Sequence, residues 1–547
     1  MWTEDLIAAA VLAGLVAALY GTILRLWWTG DDLFHLRFVS THSPLALGFS
    51  PQTWREFPSR MFTPLQLWSY AVDLALFGRH PGGFYVHQLV SVGFAALAFC
   101  LALRSWLASV WACLASVLVV LGVPLAAWTS QLMFRHYVEG FFCASLAVWL
   151  FVQSVRRDHD AARALASAFF YLLAMLAKEV YVPLVVLLLA LPEASWPRRA
   201  RRLIPHGAVL LLYLIWRWIM LGTLLGGYGW IVPSAEMPRL IASLPARMAA
   251  AFSGNAGAAV WPVLVLVLIG TAVLLSRKPG GFVLLGVAAL AIAGPIVPVA
   301  RSLNERFGVL PCAVLAATFG LGCRELAGAS AAGRRACAIL AALAVAAALV
   351  ANRLDWRVRY AGAQRDSAEG RFFLSMAPGD LLRRPRVPPA AMQETRRLRE
   401  ETLGLPGGAG WFADDLYLCV ARPAGRVWEY DEAARRVADV TGQAKLAAER
   451  YCAGLRDAPL AARFESAEGK LFWSLGPYPK GRYALVFDRG VEAVEVDRDS
   501  GYQTSPLILT LMVRYRSPEG WTTFSPQLAM DFRAASRYRW ERKASMP

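Results

Sequence analysis

The sequence has 547 residues, of which 57% are hydrophobic and only 17% are charged. Soluble globular proteins carry about 25% charged residues, so this composition excludes a wholly soluble chain. The formal net charge of +17 does not indicate nucleic-acid binding, because the lysines and arginines lie in short segments between apolar runs, as the positive-inside rule describes.

Long apolar runs recur up to residue 351 and then stop. Their lengths predict about eleven transmembrane helices, near residues 6–26, 86–103, 106–124, 138–155, 164–177, 180–192, 204–222, 259–276, 282–300, 307–323 and 336–351. The arginine-rich loops fall at alternate ends of these helices. Placing them inside puts the N-terminus inside and the C-terminus outside. We therefore expect a multi-pass protein of the cytoplasmic (inner) membrane.

The predicted domains are a transmembrane domain, residues 1–351, and a periplasmic soluble domain, residues 352–547. The first extracytoplasmic loop, 27–85, is long and contains an amphipathic piece at 65–77, which would lie on the membrane surface or pack on the helix bundle. The soluble part predicts a mixed α/β domain with a β-rich second half. Helical patterns cover 390–403 and 431–450, and strand patterns cover 483–487, 491–496 and 507–515. Cys419 and Cys452 would be able to pair outside the cytoplasm.

The first apolar run ends in an acidic pair, Asp31 and Asp32, with His35 close behind. Two tryptophans precede the pair and are typical of a membrane interface. Carboxylates and histidine beside a membrane helix are candidates for function, although a solvated loop would have the same composition. Such carboxylates act as general bases or as ligands of a divalent cation.

Further polar clusters fall at the predicted outer ends of the helices. They contain Arg60, His87, Arg135, Lys178, Glu179, Arg217, Glu305 and Arg306. Each cluster has a structural alternative. Arg217 would snorkel outward, Lys178 and Glu179 would pair to join helices, and Glu305 and Arg306 would form a solvated turn. Together they predict one polar cavity that opens outward and binds phosphate through arginine and lysine.

These elements, taken in order, resemble the GT-C superfamily of integral-membrane glycosyltransferases. The similarity is greatest to the branch with the transmembrane, tetratricopeptide-containing O-mannosyltransferases and their bacterial relatives. It covers about residues 1–325. The residues that carry it are Asp31-Asp32, Arg60-x-x-Thr63-Pro64-Leu65, Leu76-Phe77-Gly78, Tyr85-x-His87, Ala177-Lys178-Glu179, Arg217 with Leu221-Gly222, and Asn304-Glu305-Arg306-Phe307.

The resemblance implies transfer of a sugar from a polyprenyl-phosphate donor to an extracytoplasmic hydroxyl of a glycan, lipid or protein. It implies that Asp31 or Asp32 is the general base. The donor phosphate would contact Lys178, Arg217 and Arg306, with Arg60 a further candidate. Supporting residues would be His35, His87, Arg135, Glu179 and Glu305. No cofactor is certain. GT-C branches differ in metal dependence, and Asp31 and Asp32 would be the ligands of any divalent cation.

The chain also departs from this family. The region from Pro124 to Arg135 matches loosely, Phe307 replaces a tyrosine, and the tetratricopeptide tail is absent, so the acceptor does not carry over. Two other functions stay open. One is a secondary transporter or flippase of lipid-linked glycans, although the sequence shows no internal repeat. The other is a ligase-like transferase with a pyrophosphate-linked donor.

Overall fold

The structure is a computed structural model that describes residues 2–57, 61–157, 160–224, 237–278, 280–297, 304–377, 379–386, 411–413, 415–421, 424–467, 470–487, 492–501, 508–531 and 536–543. The chain divides into two compact units, Met1–Ala363 and Gln364–Pro547. The first is helical, and the second contains all the described strands.

Seventeen described α-helices begin in the first unit. They are α1 (Trp2–Tyr20), α2 (Asp32–Thr41), α3 (Pro44–Phe49), α4 (Pro51–Glu56), α5 (Pro64–Phe77), α6 (Pro81–Leu103), α7 (Ser109–Val120), α8 (Val123–Ser130), α9 (Arg135–Arg156), α10 (Ala161–Ala177), α11 (Leu184–Ala190), α12 (Trp196–Leu221), α13 (Met237–Ser253), α14 (Trp261–Arg277), α15 (Gly281–Ile296), α16 (Val309–Ala329) and α17 (Ala331–Ser375). Short 3-10 helices cover Gly21–Arg25, Leu132–Phe134, Glu179–Tyr181, Gly254–Val260 and Glu305–Phe307.

Apolar helices stand at all eleven predicted positions in the described chain. Seven are long and apolar enough to cross a membrane, and α7 with α8 makes an eighth if the bent pair is one span. The remaining three are shorter apolar helices, Ala161–Ala177, Glu179–Ala190 and Gly281–Ile296. The protein is therefore a polytopic helical membrane protein, as the apolar runs predicted.

One predicted span is broken. Residues 106–124 were expected to form one helix, but α7 and α8 meet at an angle of 61°. Pro124 lies in the first turn of α8, where its missing N–H costs no intrahelical hydrogen bond. A proline at this position starts a helix readily but does not continue the one before it. The bend carries Trp128 of α8 to the Glu305–Phe307 turn, where its indole N–H donates to the Arg306 carbonyl at 2.8 Å.

Ion pairs tie the helix ends together on the side away from Asp31 and Asp32. Asp5, at the start of α1, pairs with Arg104 at the end of α6, and Glu4 accepts from the Ser109 hydroxyl at 2.5 Å. At the end of α9, Arg156 donates to Glu193 at 2.9 Å. The acidic start of α1 is thus neutralised by a basic residue of a neighbouring helix.

The segment between α1 and α6 folds onto the bundle. Ser43 and Ser50 cap α3 and α4 by accepting from backbone N–H groups three residues ahead. The amphipathic piece forms α5, which packs against α2, α6, α9 and α10 and buries Tyr70 and Asp73. Of the two arrangements considered for this piece, packing on the bundle is therefore present, and it brings α5 into the polar interior.

The second unit is a mixed α/β unit. Its strands are β1 (Leu381–Arg383), β2 (Trp411–Ala413), β3 (Val427–Asp431), β4 (Arg436–Asp439), β5 (Leu460–Ala467), β6 (Lys470–Gly476), β7 (Arg482–Phe487), β8 (Glu492–Val496), β9 (Asp499–Gly501), β10 (Ile508–Arg516), β11 (Thr522–Phe524), β12 (Leu528–Asp531) and β13 (Ser536–Arg542). Two further helices are α18 (Asp415–Ala421) and α19 (Thr441–Ala453). The predicted β-rich second half is present.

Three sheets organise these strands. A small sheet has the order β2-β1-β3-β4, with β1 parallel to β2 and β3. Two antiparallel sheets, β13-β5-β6-β9 and β11-β10-β7-β8 with β12 beside β10, share a core that includes Phe464, Trp473, Leu485 and Val513. Cys419 of α18 and Cys452 of α19 form a disulfide, with their Cα atoms 5.6 Å apart.

One helical prediction in this unit was partly wrong. Residues 431–450 were expected to form a helix, but the β3–β4 hairpin occupies the region up to Asp439, and α19 begins at Thr441. The hairpin forms because Tyr430 and Val437 pair across it, and because Trp428 and Val437 pack against the cluster around Leu382 of β1. Tertiary burial has overridden the local helix propensity of the charged and alanine-rich segment. The other predicted helix, 390–403, lies outside the described residues.

Candidate active site

The two aspartates have opposite environments. Asp32, the first residue of α2, is fully buried, and its carboxylate accepts from the backbone N–H groups of Thr29 at 2.9 Å and Met133 at 3.0 Å. The Tyr70 hydroxyl lies 3.5 Å from the same carboxylate. Asp31 is exposed, and its side chain does not cap α2. Asp32 therefore fastens this turn to the start of α9, while the Asp31 carboxylate is accessible.

Burial raises the pKa of Asp32 to about 7, and repulsion from Asp31 acts in the same direction. The N–H donors of Thr29 and Met133 oppose that rise. His35 is also buried, and burial lowers its imidazole pKa, so the ring is neutral at pH 7. Its Nδ1–H donates to the Asp31 carbonyl at 2.8 Å, which fixes the backbone on which the Asp31 carboxylate stands.

Arg135 forms the centre of a buried polar network between α5, α6 and α9. Its guanidinium pairs with Asp73, which is 1% exposed, and donates to the Phe84 carbonyl at 2.8 Å. The His87 ring donates to the same aspartate at 2.6 Å. The guanidinium also stands 5.0 Å from the centre of the Tyr70 ring, and Tyr70 is the residue that approaches Asp32. The two predicted supporting residues, Arg135 and His87, thus hold the helices beneath the acidic turn.

Lys178 and Glu179 stand together where α10 ends. The Lys178 ammonium is 2% exposed and lies 3.3 Å from a Glu179 carboxylate oxygen. It donates to the Met61 sulfur at 2.7 Å and faces the Tyr137 ring at 5.6 Å. Arg217 interacts electrostatically with Glu179 from α12, where it is also buried. Lys178 and Arg217 are therefore two buried cations arranged around one carboxylate.

Arg306 reaches the same region from the Glu305–Phe307 turn. Its guanidinium lies 4.9 Å from the Phe307 ring, and that ring lies 6.3 Å from the Tyr137 ring. Glu305 pairs with Arg359 of α17 at 3.6 Å. Tyr137 is therefore in contact with elements of both the Lys178 and the Arg306 clusters.

Arg359 is itself held by Asp355, whose carboxylate accepts at 3.0 Å and also accepts from the Asn255 N–H. Gly254 allows this close approach. It adopts φ +47, and an added Cβ would lie 2.6 Å from Val123 and 2.9 Å from the Asp355 carboxylate. The Glu305 turn is thus braced by α17 and by the Gly254–Val260 segment.

His136 links the separate clusters. It interacts electrostatically with Lys178, His35 and Arg306, which come from three different parts of the chain. Among the described residues, the buried atoms Thr63 Oγ1 and Glu179 Oε2 have no hydrogen-bond partner. Buried polar atoms are nearly always satisfied, so unsatisfied ones grouped beside buried cations indicate a binding site for a polar ligand.

The structure thus brings Asp31, Asp32, His35, Lys178, Glu179, Arg217, Glu305 and Arg306 to one end of the bundle. Arg60 lies outside the described residues. The cluster around Arg135 was identified from the sequence, but no role was predicted for His136. The contacts by which Asp73, Asp355 and Arg359 hold the site in place were not predicted. The only sequence signal for Asp355 and Arg359 is their i, i+4 spacing on a helix, which is common on solvated surfaces.

Among the described residues, the side chains around Asp31 and Asp32 do not fit the binding of a divalent cation. Within the described ranges, no group of three or more histidine, cysteine, aspartate or glutamate side chains is arranged to hold a metal ion. Of the two predicted ligands, Asp32 directs its carboxylate at N–H donors, so Asp31 alone offers an accessible carboxylate.

No protein-family model and no curated protein matches the sequence. Among solved structures, the chain is similar to the apo oligosaccharyltransferase of Archaeoglobus fulgidus, with 11% identity and a TM-score of 0.47 over 90% of this chain and 74% of that chain. It is similar to ArnT from Cupriavidus metallidurans bound to undecaprenyl phosphate, with 14% identity and a TM-score of 0.38 over 78% and 93%. It is also similar to AglB from Archaeoglobus fulgidus in complex with an inhibitory peptide and a dolichol-phosphate, with 11% identity and a TM-score of 0.44 over 87% and 74%. At these scores the likenesses assign no activity to the chain.

Proposed function

We propose that the protein is a membrane glycosyltransferase that moves a sugar from a polyprenyl-phosphate donor to an acceptor hydroxyl outside the cytoplasm. The observation that carries this proposal is that one accessible carboxylate, Asp31, lies at the same end of the bundle as the buried Lys178 and Arg217 and the half-buried Arg306. The carboxylate fits a base, and the cations fit a phosphate leaving group.

The general base is Asp31, and Asp32 is a positioning residue. Asp31 is accessible to an acceptor, whereas both Asp32 oxygens face donors from the protein's own backbone and from Tyr70. A base must come within hydrogen-bond distance of the proton that it takes, which only the exposed residue is able to do. Asp32 and His35 fix the backbone of the turn from which Asp31 projects.

The donor phosphate binds among Lys178, Arg217 and Arg306. Glu179 lies against Lys178 and Arg217 without neutralising both, because one carboxylate faces two cations, whereas Glu305 pairs with Arg359. Within the described chain, the unsatisfied Thr63 hydroxyl is available as a further contact to a phosphate or sugar oxygen. A phosphate held by several charge-assisted hydrogen bonds in a site sheltered from water is a better leaving group.

A small apolar pocket of about 60 Å³ lies beside the α7–α8 bend. It is lined by Leu118, Leu121, Phe252, Val260, Leu264, Val267, Cys312 and Leu315, among others. The pocket also includes Pro124, which Gly308 contacts closely two residues after Arg306. Because this volume is too small for an isoprenoid chain, the tail of the donor would lie mainly in the bilayer, where its apolar surface is also removed from water.

The transfer step follows from these placements. Asp31 accepts the proton of the acceptor hydroxyl as its oxygen bonds to the anomeric carbon of the donor sugar. The bond between that carbon and the phosphate oxygen breaks, and polyprenyl phosphate leaves with the bonding electron pair. Lys178, Arg217 and Arg306 stabilise the negative charge that develops on the leaving oxygen, which is where electrostatic catalysis is strongest.

The reaction would take place outside the cytoplasm. The charged helix ends at Asp5, Arg104 and Arg156 lie at the opposite end of the bundle from Asp31, and basic loops favour the cytoplasmic side. The Cys419–Cys452 disulfide in the second unit also favours an oxidising compartment such as the periplasm.

The direct test is binding of polyprenyl phosphate by the full-length protein in lipid nanodiscs, because this measurement needs no acceptor. Lys178→Ala and Arg306→Ala should each weaken binding by about tenfold or more, the loss expected for a charged hydrogen bond. Arg163→Ala is the matched control, since this arginine pairs with Asp160 in a loop at the other end of the bundle. Unchanged binding in both site variants would refute the donor-phosphate site.

Two competing functions predict different results. A ligase-like transferase would be inhibited more strongly by a polyprenyl pyrophosphate than by the monophosphate. A flippase would move a labelled lipid-linked sugar between the leaflets of proteoliposomes without releasing polyprenyl phosphate. Transfer of labelled mannose, glucose or a pentose from its polyprenyl monophosphate to a cell-envelope extract would support the proposed activity and identify the donor sugar.

A further inference from the structure

The outer face of one sheet in the second unit has an unusual surface. In the sheet β13-β5-β6-β9, alternate residues such as Ala462, Phe464 and Trp473 are buried in the core between the two sheets. Their neighbours point to the opposite face, because successive side chains of a strand alternate in direction. This outer face presents Arg463, Glu465, Phe472, Ser474, Arg537 and Arg539.

Two arginines oppose each other directly on this face. Arg463 of β5 pairs in register with Arg539 of β13. Like charges at directly opposed positions of an antiparallel pair destabilise the sheet. Arg539 lies 3.1 Å from Glu541 on its own strand. Among the described residues, none forms an ion pair with the exposed Arg463, so this position carries an uncompensated positive charge.

The same face contains an exposed aromatic ring in a pocket. The pocket has a volume of about 480 Å³ and is lined by both arginines, Phe472 and Ser474. The Phe472 side chain is 44% exposed, although the core of the sandwich lies one residue away on either side. The exposed Phe472 ring therefore lies on the same face as Arg463, so that one ligand is able to contact both an apolar surface and a positive charge.

The pocket also has groups that match hydroxyls. The Ser474 hydroxyl donates to Asp499 at 2.5 Å, and Glu465 accepts from Arg537 at 3.2 Å. These carboxylates would repel a uniformly charged polyphosphate such as a nucleic acid. They would accept hydrogen bonds from the hydroxyls of a sugar whose carboxylate faces the arginines.

We propose that this face binds an acidic saccharide, with a sugar ring against Phe472 and its carboxylate at Arg463 and Arg539. The apolar C–H face of a pyranose packs on an aromatic ring, and a planar guanidinium matches a carboxylate in two hydrogen bonds. The binding is independent of sugar transfer at Asp31.

The test measures binding of fluorescent β-linked oligomannuronate to the full-length protein in nanodiscs, beside β-linked oligomannose of equal length. The two probes differ in the carboxylate alone. Arg463→Ala and Phe472→Ser should each weaken oligomannuronate binding by about tenfold, and oligomannose should bind more weakly than oligomannuronate. Arg482→Ala is the control, because this exposed arginine lies on the other sheet beside Glu495. Thermal midpoints establish that every variant is folded.

Three results would overturn the proposal. Equal weakening by Arg482→Ala would mean general attraction to a chain of net charge +17. Equal affinity for oligomannose, the neutral probe, would mean that the arginines do not recognise the carboxylate. Binding of anionic lipid vesicles without binding of soluble oligomannuronate would make the face a membrane contact. None of these outcomes depends on polyprenyl phosphate binding at Lys178, so this proposal and the proposed transferase stand or fail separately.

Discussion

Replacing each aspartate of the acidic pair by asparagine separates the two roles assigned to them. Asp31→Asn removes the exposed carboxylate and touches no buried contact, so the protein should fold as before and lose activity by about 10²–10⁴-fold, the contribution of a general base. Asp32→Asn keeps one acceptor oxygen but turns an amide toward the N–H of Thr29 or Met133. It should displace the turn and reduce activity indirectly.

Two opposing free-energy contributions determine how Asp32→Asn changes the stability of the protein: the cost of a buried charge and the gain from a charged hydrogen bond. A pKa raised from 3.8 to about 7 means that the ionised carboxylate costs about 4 kcal/mol of stability above pH 7. The native state then binds more protons than the unfolded state between these two values, so this cost appears as pH rises through that window. Asparagine carries no charge and therefore removes the cost of the ionised carboxylate. The substitution also loses one charged hydrogen bond, which costs about 1.5–3 kcal/mol. At pH 8 the variant should be no less stable than the wild type.

The assay combines thermal unfolding in detergent at pH 8 with transfer from a labelled polyprenyl-phosphate sugar. We expect unchanged or higher midpoints for both variants and a much greater loss of activity for Asp31→Asn. Asp31→Glu provides a conservative control that keeps the charge. If Asp31→Asn retained most of its activity while Asp32→Asn was inactive and fully folded, the assignment of the base to the exposed residue would be refuted.

Three other properties are predicted. Wild-type activity should fall as pH drops from 8 to 6, because protonating Asp32 places an O–H against an N–H donor, and a pH–rate profile of Asp32→Asn should lack that decline. Arg135→Met should lower the free energy of unfolding by about 3–5 kcal/mol, since it leaves the buried Asp73 carboxylate with the His87 ring in place of a guanidinium partner, and urea titration in detergent would measure this against the double variant with Asp73→Ala. Cys419→Ser should destabilise the second unit by about 3–4 kcal/mol, since the disulfide with Cys452 links residues 33 positions apart. Limited proteolysis with and without reductant would detect this loss of stability. Equal protease resistance of the variant and the wild type would contradict the prediction.

The membrane architecture could be predicted because it depends on composition over long windows. A run of about 20 apolar residues has few alternatives to a helix in a bilayer, so all eleven positions were located from the sequence. The bend between α7 and α8 was not predicted, although Gly122 and Pro124 are visible. Whether such a site ends a helix depends on what packs beside it, here Gly308 against Pro124.

The candidate site was found only in part. Charged residues at helix ends are visible in a sequence, so Lys178, Arg217 and Arg306 were located. Their grouping around His136 depends on the packing of α9 against three other elements, and no local pattern records it. In the second unit, the hairpin ending at Asp439 replaced a predicted helix because its stability comes from strand partners distant in the sequence.

The sequence by itself determined that this protein crosses a membrane many times, where its helices lie and which charged residues interrupt them, since these properties follow from the cost of placing polar groups in lipid. Only the tertiary structure decided which member of the acidic pair is accessible. Asp31 and Asp32 are identical and adjacent, and they differ because one turn directs Asp32 at the Met133 N–H, about a hundred residues away, and leaves Asp31 in the open.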